Sequence, residues 1–138
     1  MKIFIDNGHG LMTAGKRSPD GQFCEAFYNR EIARRVVADL RDRGLDAELL
    51  VPEDDDISLV ERVKRVNAAC LLLGKQNVIL VSIHVNAAGN GSKWLNATGW
   101  SVYTCKGQTE SDKLAECLDC STLNVPPISV SNVPGISE

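Results

Sequence analysis

The sequence predicts an α/β domain: a mostly parallel, twisted sheet flanked by helices. Three observations carry this. Short apolar runs alternate with segments of helical period along the chain. Residues 77–85 are almost unbroken in β-branched and aliphatic side chains, the pattern of a central parallel strand buried on both faces. Gly44 and Gly74 close the first two helical segments, where the chain must turn back toward the sheet.

Lys2 to Asp6 reads as the first strand and ends in Asn7-Gly8-His9-Gly10. From about Glu25 to Arg43, Ile32, Val36 and Leu40 recur every four residues with Ala33 and Val37 beside them, which predicts a helix. Asp46 to Val51 is a second strand, closed by Pro52. Ser58 and Glu61 have the spacing of a capping box. The helix they start has Leu59, Val63, Val66, Cys70 and Leu73 as its expected apolar face. After the strand at 77–85, Trp100 to Cys105 predicts another. Thr109 then caps a helix to about Asp119, with Leu114, Cys117 and Leu118 turned inward. Residues 121–138 hold three of the five prolines and no clear period, so they read as an irregular tail to a core of residues 1–120.

A chain of 138 residues can bury one real core. With 43% hydrophobic and 24% charged residues, its composition is that of a globular domain and not of a disordered chain. A net charge of −3 with no cluster of bare Lys and Arg argues against a nucleic-acid partner. No apolar run reaches the roughly 18 residues that span a bilayer, so no membrane partner is expected. Met1-Lys2 opens straight into Ile3-Phe4-Ile5 with no signal-peptide pattern. The five cysteines are odd in number, and Cys117 and Cys120 have neither a second pair nor a nearby histidine to complete a zinc knuckle. They read as reduced thiols of a protein made in the cytoplasm.

Only two histidines are present, and each stands where a strand ends: His9 after the first, His84 after the apolar run to Ile83. Ligands of open α/β sheets gather at the carboxyl ends of strands, so neighbouring strands would bring both imidazoles to one edge. A single strand-end histidine is ordinarily a hydrogen-bonded structural residue; two at equivalent positions point toward a metal. Zinc takes imidazole nitrogen and carboxylate oxygen readily. Glu25, opening the first helix, is a plausible third ligand, although spacing alone does not choose it over Asp20 or Glu31. Gly10 to Lys16 matches GxxxxGK, the start of a phosphate-binding loop. The next residue is Arg17 where Ser or Thr should stand, and Ser18-Pro19-Asp20-Gly21 predicts a turn where that loop needs a helix. The match reads as chance.

Ile5-Asp6-Asn7-Gly8-His9-Gly10 resembles the D-x-G-H-G opening of the zinc-dependent N-acetylmuramoyl-L-alanine amidases. Glu25, Asn29 and Ile32-Ala33 are similar to that family's glutamate and first helix. Leu59, Glu61-Arg62 and Asn67-Ala68 resemble its L-x-x-R-x-x-x-A-N helix. Val81 to Ala87 resembles the S-I-H-x-N-A strand, and Gly99 to Tyr103 the strand after it. The ordered set runs to about residue 118.

The resemblance implies His9, Glu25 and His84 as ligands of one Zn2+ per chain, and Asn86 as a substrate contact. It implies hydrolysis of the amide between N-acetylmuramic acid and L-alanine, with peptidoglycan as partner. An enzyme without a signal peptide would reach the wall after lysis or by another export route. The family's general base is a glutamate on a late strand. No such strand is recognisable here, which implies a chain truncated or altered after about residue 119 and a sheet lacking the family's last strands. Glu138, the sole acid after Asp119, is then the only candidate base, and a terminal residue is poorly placed for that work. The alternative is a non-catalytic remnant that holds zinc and muropeptide. An unpaired sheet edge also implies self-association.

Overall fold

A computed structural model of the chain describes residues 1–97 and 99–122. The irregular tail expected at 121–138 falls, apart from the end of a helix, outside the described residues. The chain divides into two units, Met1–Leu95 and Asn96–Glu138.

The first unit contains β1 (Lys2–Asn7), α1 (Glu25–Asp42), β2 (Asp46–Leu49), α2 (Leu59–Leu73) and β3 (Val78–Ile83), with a short 3-10 turn at Lys75–Asn77 before β3. The strands form one parallel sheet in the order β2-β1-β3. β1 is therefore the central strand, not the segment at 77–85. β3 lies at a sheet edge among the described residues, and Leu80 on it is 46% exposed. An apolar run of this kind records what each face could bury, but not how many neighbours the strand has.

Alternation along β1 sorts its side chains between two layers. Ile3 and Ile5 face α1, where Ile5 joins Ala33, Val37 and Ala47 in one core. Phe4 faces the other way, into a core with Leu50, Val51, Val66 and Ala69. Burying Ile5 completely contributes about 2–3 kcal/mol. α1 packs on Ala26, Ala33 and Val37, of which the two alanines are fully buried. Ile32, Val36 and Leu40, the expected stripe, are only half-buried flanks. Small residues on the seam let the helix axis approach the sheet closely.

The helix ends behave as the sequence predicts. Gly44, at φ 78, donates to Arg41, and Leu45 donates back to Leu40, which closes α1 in a Schellman motif. Ser58 accepts the Glu61 N–H at the start of α2.

The packed face of α2 differs from the expected one. Leu59, Val63 and Leu73 are exposed, and the helix packs through Arg62, Val66 and Ala69. A buried charge pair accompanies this choice of face. Arg62 is buried and donates to Asp6 at the end of β1 and to the Ile57 carbonyl. Breaking a buried pair of this kind typically costs about 3–5 kcal/mol. The Asp6–Arg62 pair favours this rotation of α2.

In the second unit α3 spans Glu110–Thr122. Asp112 accepts the Thr109 N–H and the Thr104 hydroxyl at its start. Leu114, Cys117 and Leu118 are exposed, contrary to the inward face expected of them. The strand expected at Trp100–Cys105 is not formed, because a strand exists only through a ladder, and none is made there among the described residues. No helix among those residues is long and apolar enough to cross a membrane. Cys24, Cys70, Cys105 and Cys117 are all unbridged.

Candidate metal centre

Strand order decides where the two histidines meet. In the order β2-β1-β3 the chain leaves β1 to one side for β2 and returns to the other side for β3. The crevice beyond the carboxyl ends of β1 and β3 is the switch point at which such sheets bind ligands. Register brings the two ends level, with Asp6 opposite Ser82 and Asn7 opposite Ile83. His84 follows β3 directly and His9 follows β1 after Gly8, and their rings stand 5.0 Å apart, edge to face.

Two glycines make that approach possible. A Cβ on Gly8 would lie 2.2 Å from Cε1 of His84, inside the ring's own volume. A Cβ on Gly10 would lie 2.4 Å from the backbone nitrogen of Asp56. His9 between them sits at φ 65, in the left-handed region that a side chain other than glycine rarely occupies. Glycine at positions 8 and 10 is therefore a steric requirement of this turn.

Glu25 arrives from the first turn of α1. Its N–H donates to the Lys16 carbonyl, and the loop before it is held by a bridge between Arg17 and Cys24 and a turn from Ser18 to Phe23. No helix follows Lys16, so the GxxxxGK segment is not a phosphate cradle. The carboxylate is buried, and its contacts converge on Oε1. His84 Nδ1 lies 3.2 Å away and His9 Nε2 3.4 Å away. The Val85 N–H donates to it at 3.0 Å, and the Asn29 amide at 3.4 Å.

Electrostatics favour the protonation states a metal needs. Burial alone would raise the Glu25 carboxyl. The Val85 N–H, His9, Asn29 and His84 outweigh it and hold the group below its usual value. Burial lowers the His9 imidazole against the pull of Glu25, with Lys16 and His84 adding to the lowering. A neutral imidazole and an ionised carboxylate are the ligand forms.

The residues present fit a metal. One donor atom from each of His9, Glu25 and His84 lies within 4.8 Å of the others. Ligand atoms bonded at ~2.0–2.2 Å around one tetrahedral ion stand roughly 3.3 Å apart, the separation of both histidines from Oε1. Asp20 and Glu31, which spacing left as alternatives, are not in the cluster. Asn86 lies two residues past His84 and is exposed. Glu138 lies outside the described residues.

The sequence profile of the N-acetylmuramoyl-L-alanine amidases matches residues 3–131. The chain belongs to that family. The family match runs past residue 118, where the recognisable motifs stop. Among solved structures, the catalytic domain of CwlV, an N-acetylmuramoyl-L-alanine amidase from Bacillus (Paenibacillus) polymyxa var. colistinus, is 30% identical with a TM-score of 0.52. The match covers 64% of this chain and 48% of that one. The N-acetylmuramoyl-L-alanine amidase AmiC2 of Nostoc punctiforme is also 30% identical, with a TM-score of 0.49, over 65% of this chain and 46% of its own. This amidase chain thus spans about half the length of the solved relatives it matches. A search of curated proteins finds no significant match.

Sequence reasoning gave no role to three buried polar side chains, although Asn7 and Arg62 lie within motifs it quoted. Arg30 and Arg62 are buried arginines, and fully buried Asn7 has neither amide atom hydrogen-bonded within the protein. Periodicity held a signal for Arg30: it shares the seam of Ala26, Ala33 and Val37, where a charge is out of place.

Proposed function

We propose that this chain is a zinc amidase that hydrolyses the N-acetylmuramoyl–L-alanine bond of peptidoglycan, with His9, Glu25 and His84 holding one Zn2+. The observation that carries this is the convergence of those three donor atoms, within 4.8 Å, in a chain of the amidase family. Bound zinc supplies Lewis acidity for a substrate carbonyl and for water at neutral pH. The protein's own residues do the rest. The Val85 N–H and Asn29 fix Glu25 so that its charge and direction are set before any ion arrives. His84, with its side chain 46% exposed, marks the open side through which substrate reaches the centre. Asn86, two residues past His84 and exposed, would offer an amide to the sugar or stem peptide.

A second reading rests on a specific observation. Glu25 is the only carboxylate in the cluster among the described residues, and a ligand cannot also serve as a free base. A positioned general base contributes about 10²–10⁴-fold. We therefore expect weak hydrolysis by this chain, and at the limit only binding of zinc and muropeptide.

Metal analysis of protein purified without chelator should find close to one zinc per chain, and His84→Ala should lose most of it. Zinc-free protein would overturn the metal reading. Activity is read as new L-alanine amino groups released from purified cell wall. Full-rate release abolished by Glu138→Gln would show that residue 138 supplies the base and that the activity is unimpaired.

A further inference from the structure

Arg30, on the second turn of α1, is 3% exposed and carries no role in the chemistry above. Its guanidinium spans two loops. Nη1 donates to the His9 carbonyl at 2.9 Å and Nη2 to the Glu53 carbonyl at 2.8 Å. Its carboxylate partner is distant: Nε stands 3.8 Å from Asp54, whose side chain is largely in solvent. Burial accordingly pushes the guanidinium below its usual value, with Asp54 only opposing the shift. Removing a charge from water is unfavourable, and an exposed carboxylate offsets little of that cost. The return comes from two charge-assisted bonds to backbone carbonyls.

One of those carbonyls belongs to a residue under strain. His9 is held at φ 65, a conformation disfavoured for a residue with a Cβ. Relaxing to the right-handed region would rotate the peptide after His9 and carry its imidazole away from Glu25. The loops around it are stitched to each other: Leu11 donates to the Asp54 carbonyl, and Thr13 joins the Gly10 N–H to the Asp56 carboxylate. Asn29 of α1 donates to the Gly8 carbonyl at 3.4 Å, and Arg30, on the same helix, reaches both loops with one side chain.

We infer that Arg30 is a positioning residue of the metal centre, holding the His9 and Glu53 carbonyls with one planar guanidinium so that His9 stays in its left-handed conformation beside Glu25 and His84. The inference rests on the metal reading proposed above. Arg30 touches neither substrate nor metal and acts through the His9 backbone.

The test uses the full 138-residue chain and zinc itself, titrated against a chromophoric chelator. Arg30→Met keeps the length and loses every donor. It should bind zinc about 10–100-fold more weakly, the usual consequence of removing a group that orients a ligand. Arg30→Lys should recover part of the loss, because an ammonium can serve one carbonyl but lacks the fork that serves two. The visible spectrum of the cobalt(II)-loaded protein should change in Arg30→Met, since a displaced His9 alters the ligand field. If Arg30→Met fails to fold, the wild-type protein still decides: the guanidinium N–H resonances of Arg30 should shift when zinc is added. Unmoved resonances, or an Arg30→Met protein with wild-type zinc affinity and an unchanged cobalt spectrum, would overturn the inference alone. Wild-type protein that binds no divalent metal would overturn the metal reading and this inference together.

Discussion

Gly8 has no side chain because the imidazole of His84 occupies the space where one would go. Its place in the Gly-His-Gly turn separates steric support of the metal centre from stability. Gly8→Ala should force the His84 ring aside, since a Cβ 2.2 Å from Cε1 cannot be absorbed by small shifts. We expect at least about a tenfold loss of zinc affinity. Overpacking itself should cost only about 1–3 kcal/mol. Dialysis against graded chelator, run beside thermal melts, measures both. Retention of zinc at the wild-type level would show that His84 is not held by this contact.

Among the elements, α2 tests how a buried charge pair competes with an apolar stripe. Leucine and valine occur around much of its circumference, so its sequence offers more than one face to a core. The Asp6–Arg62 pair selects the face with Val66 and Ala69. Val66→Ala should then destabilise the chain by about 1–2 kcal/mol, through lost burial and a small cavity. Val63→Lys, one turn away on the exposed face, should change stability by no more than about 0.5 kcal/mol. Denaturant midpoints of the two variants decide it. A larger loss from Val63→Lys would mean that the stripe read from the sequence is the packed one.

At the scale of the whole molecule, α2 leaves Leu59, Val63, Leu71 and Leu72 exposed, and β3 is a sheet edge among the described residues. Apolar surface and unpaired strand edges favour association. We expect sedimentation at increasing concentration to show self-association, and charged substitutions at Leu71 and Leu72 to reduce it. A monomer at every concentration would remove this expectation.

Much of this molecule was legible in one dimension, because the signals concerned are local. A strand-then-helix rhythm, Ser58 as a cap and Gly44 as a stop depend on residues within a turn or two of each other, and all appear as read. The histidines were legible as a pair because each stands within two residues of a strand end. Glu25 was a candidate from its place at the start of the first helix, but only the resemblance chose it over Asp20 and Glu31, since its nearness to His9 and His84 depends on the path of an irregular loop of over a dozen residues. Which strand is central, which way α2 is rolled and why two arginines lie inside were settled by folding. Those answers depend on partners far apart in sequence, Asp6 with Arg62 and His9 with Arg30, and periodicity within a segment carries no record of what it will be packed against. The missing ladder at Trp100–Cys105 has the same cause: β-propensity belongs to a segment, whereas a strand belongs to a pair.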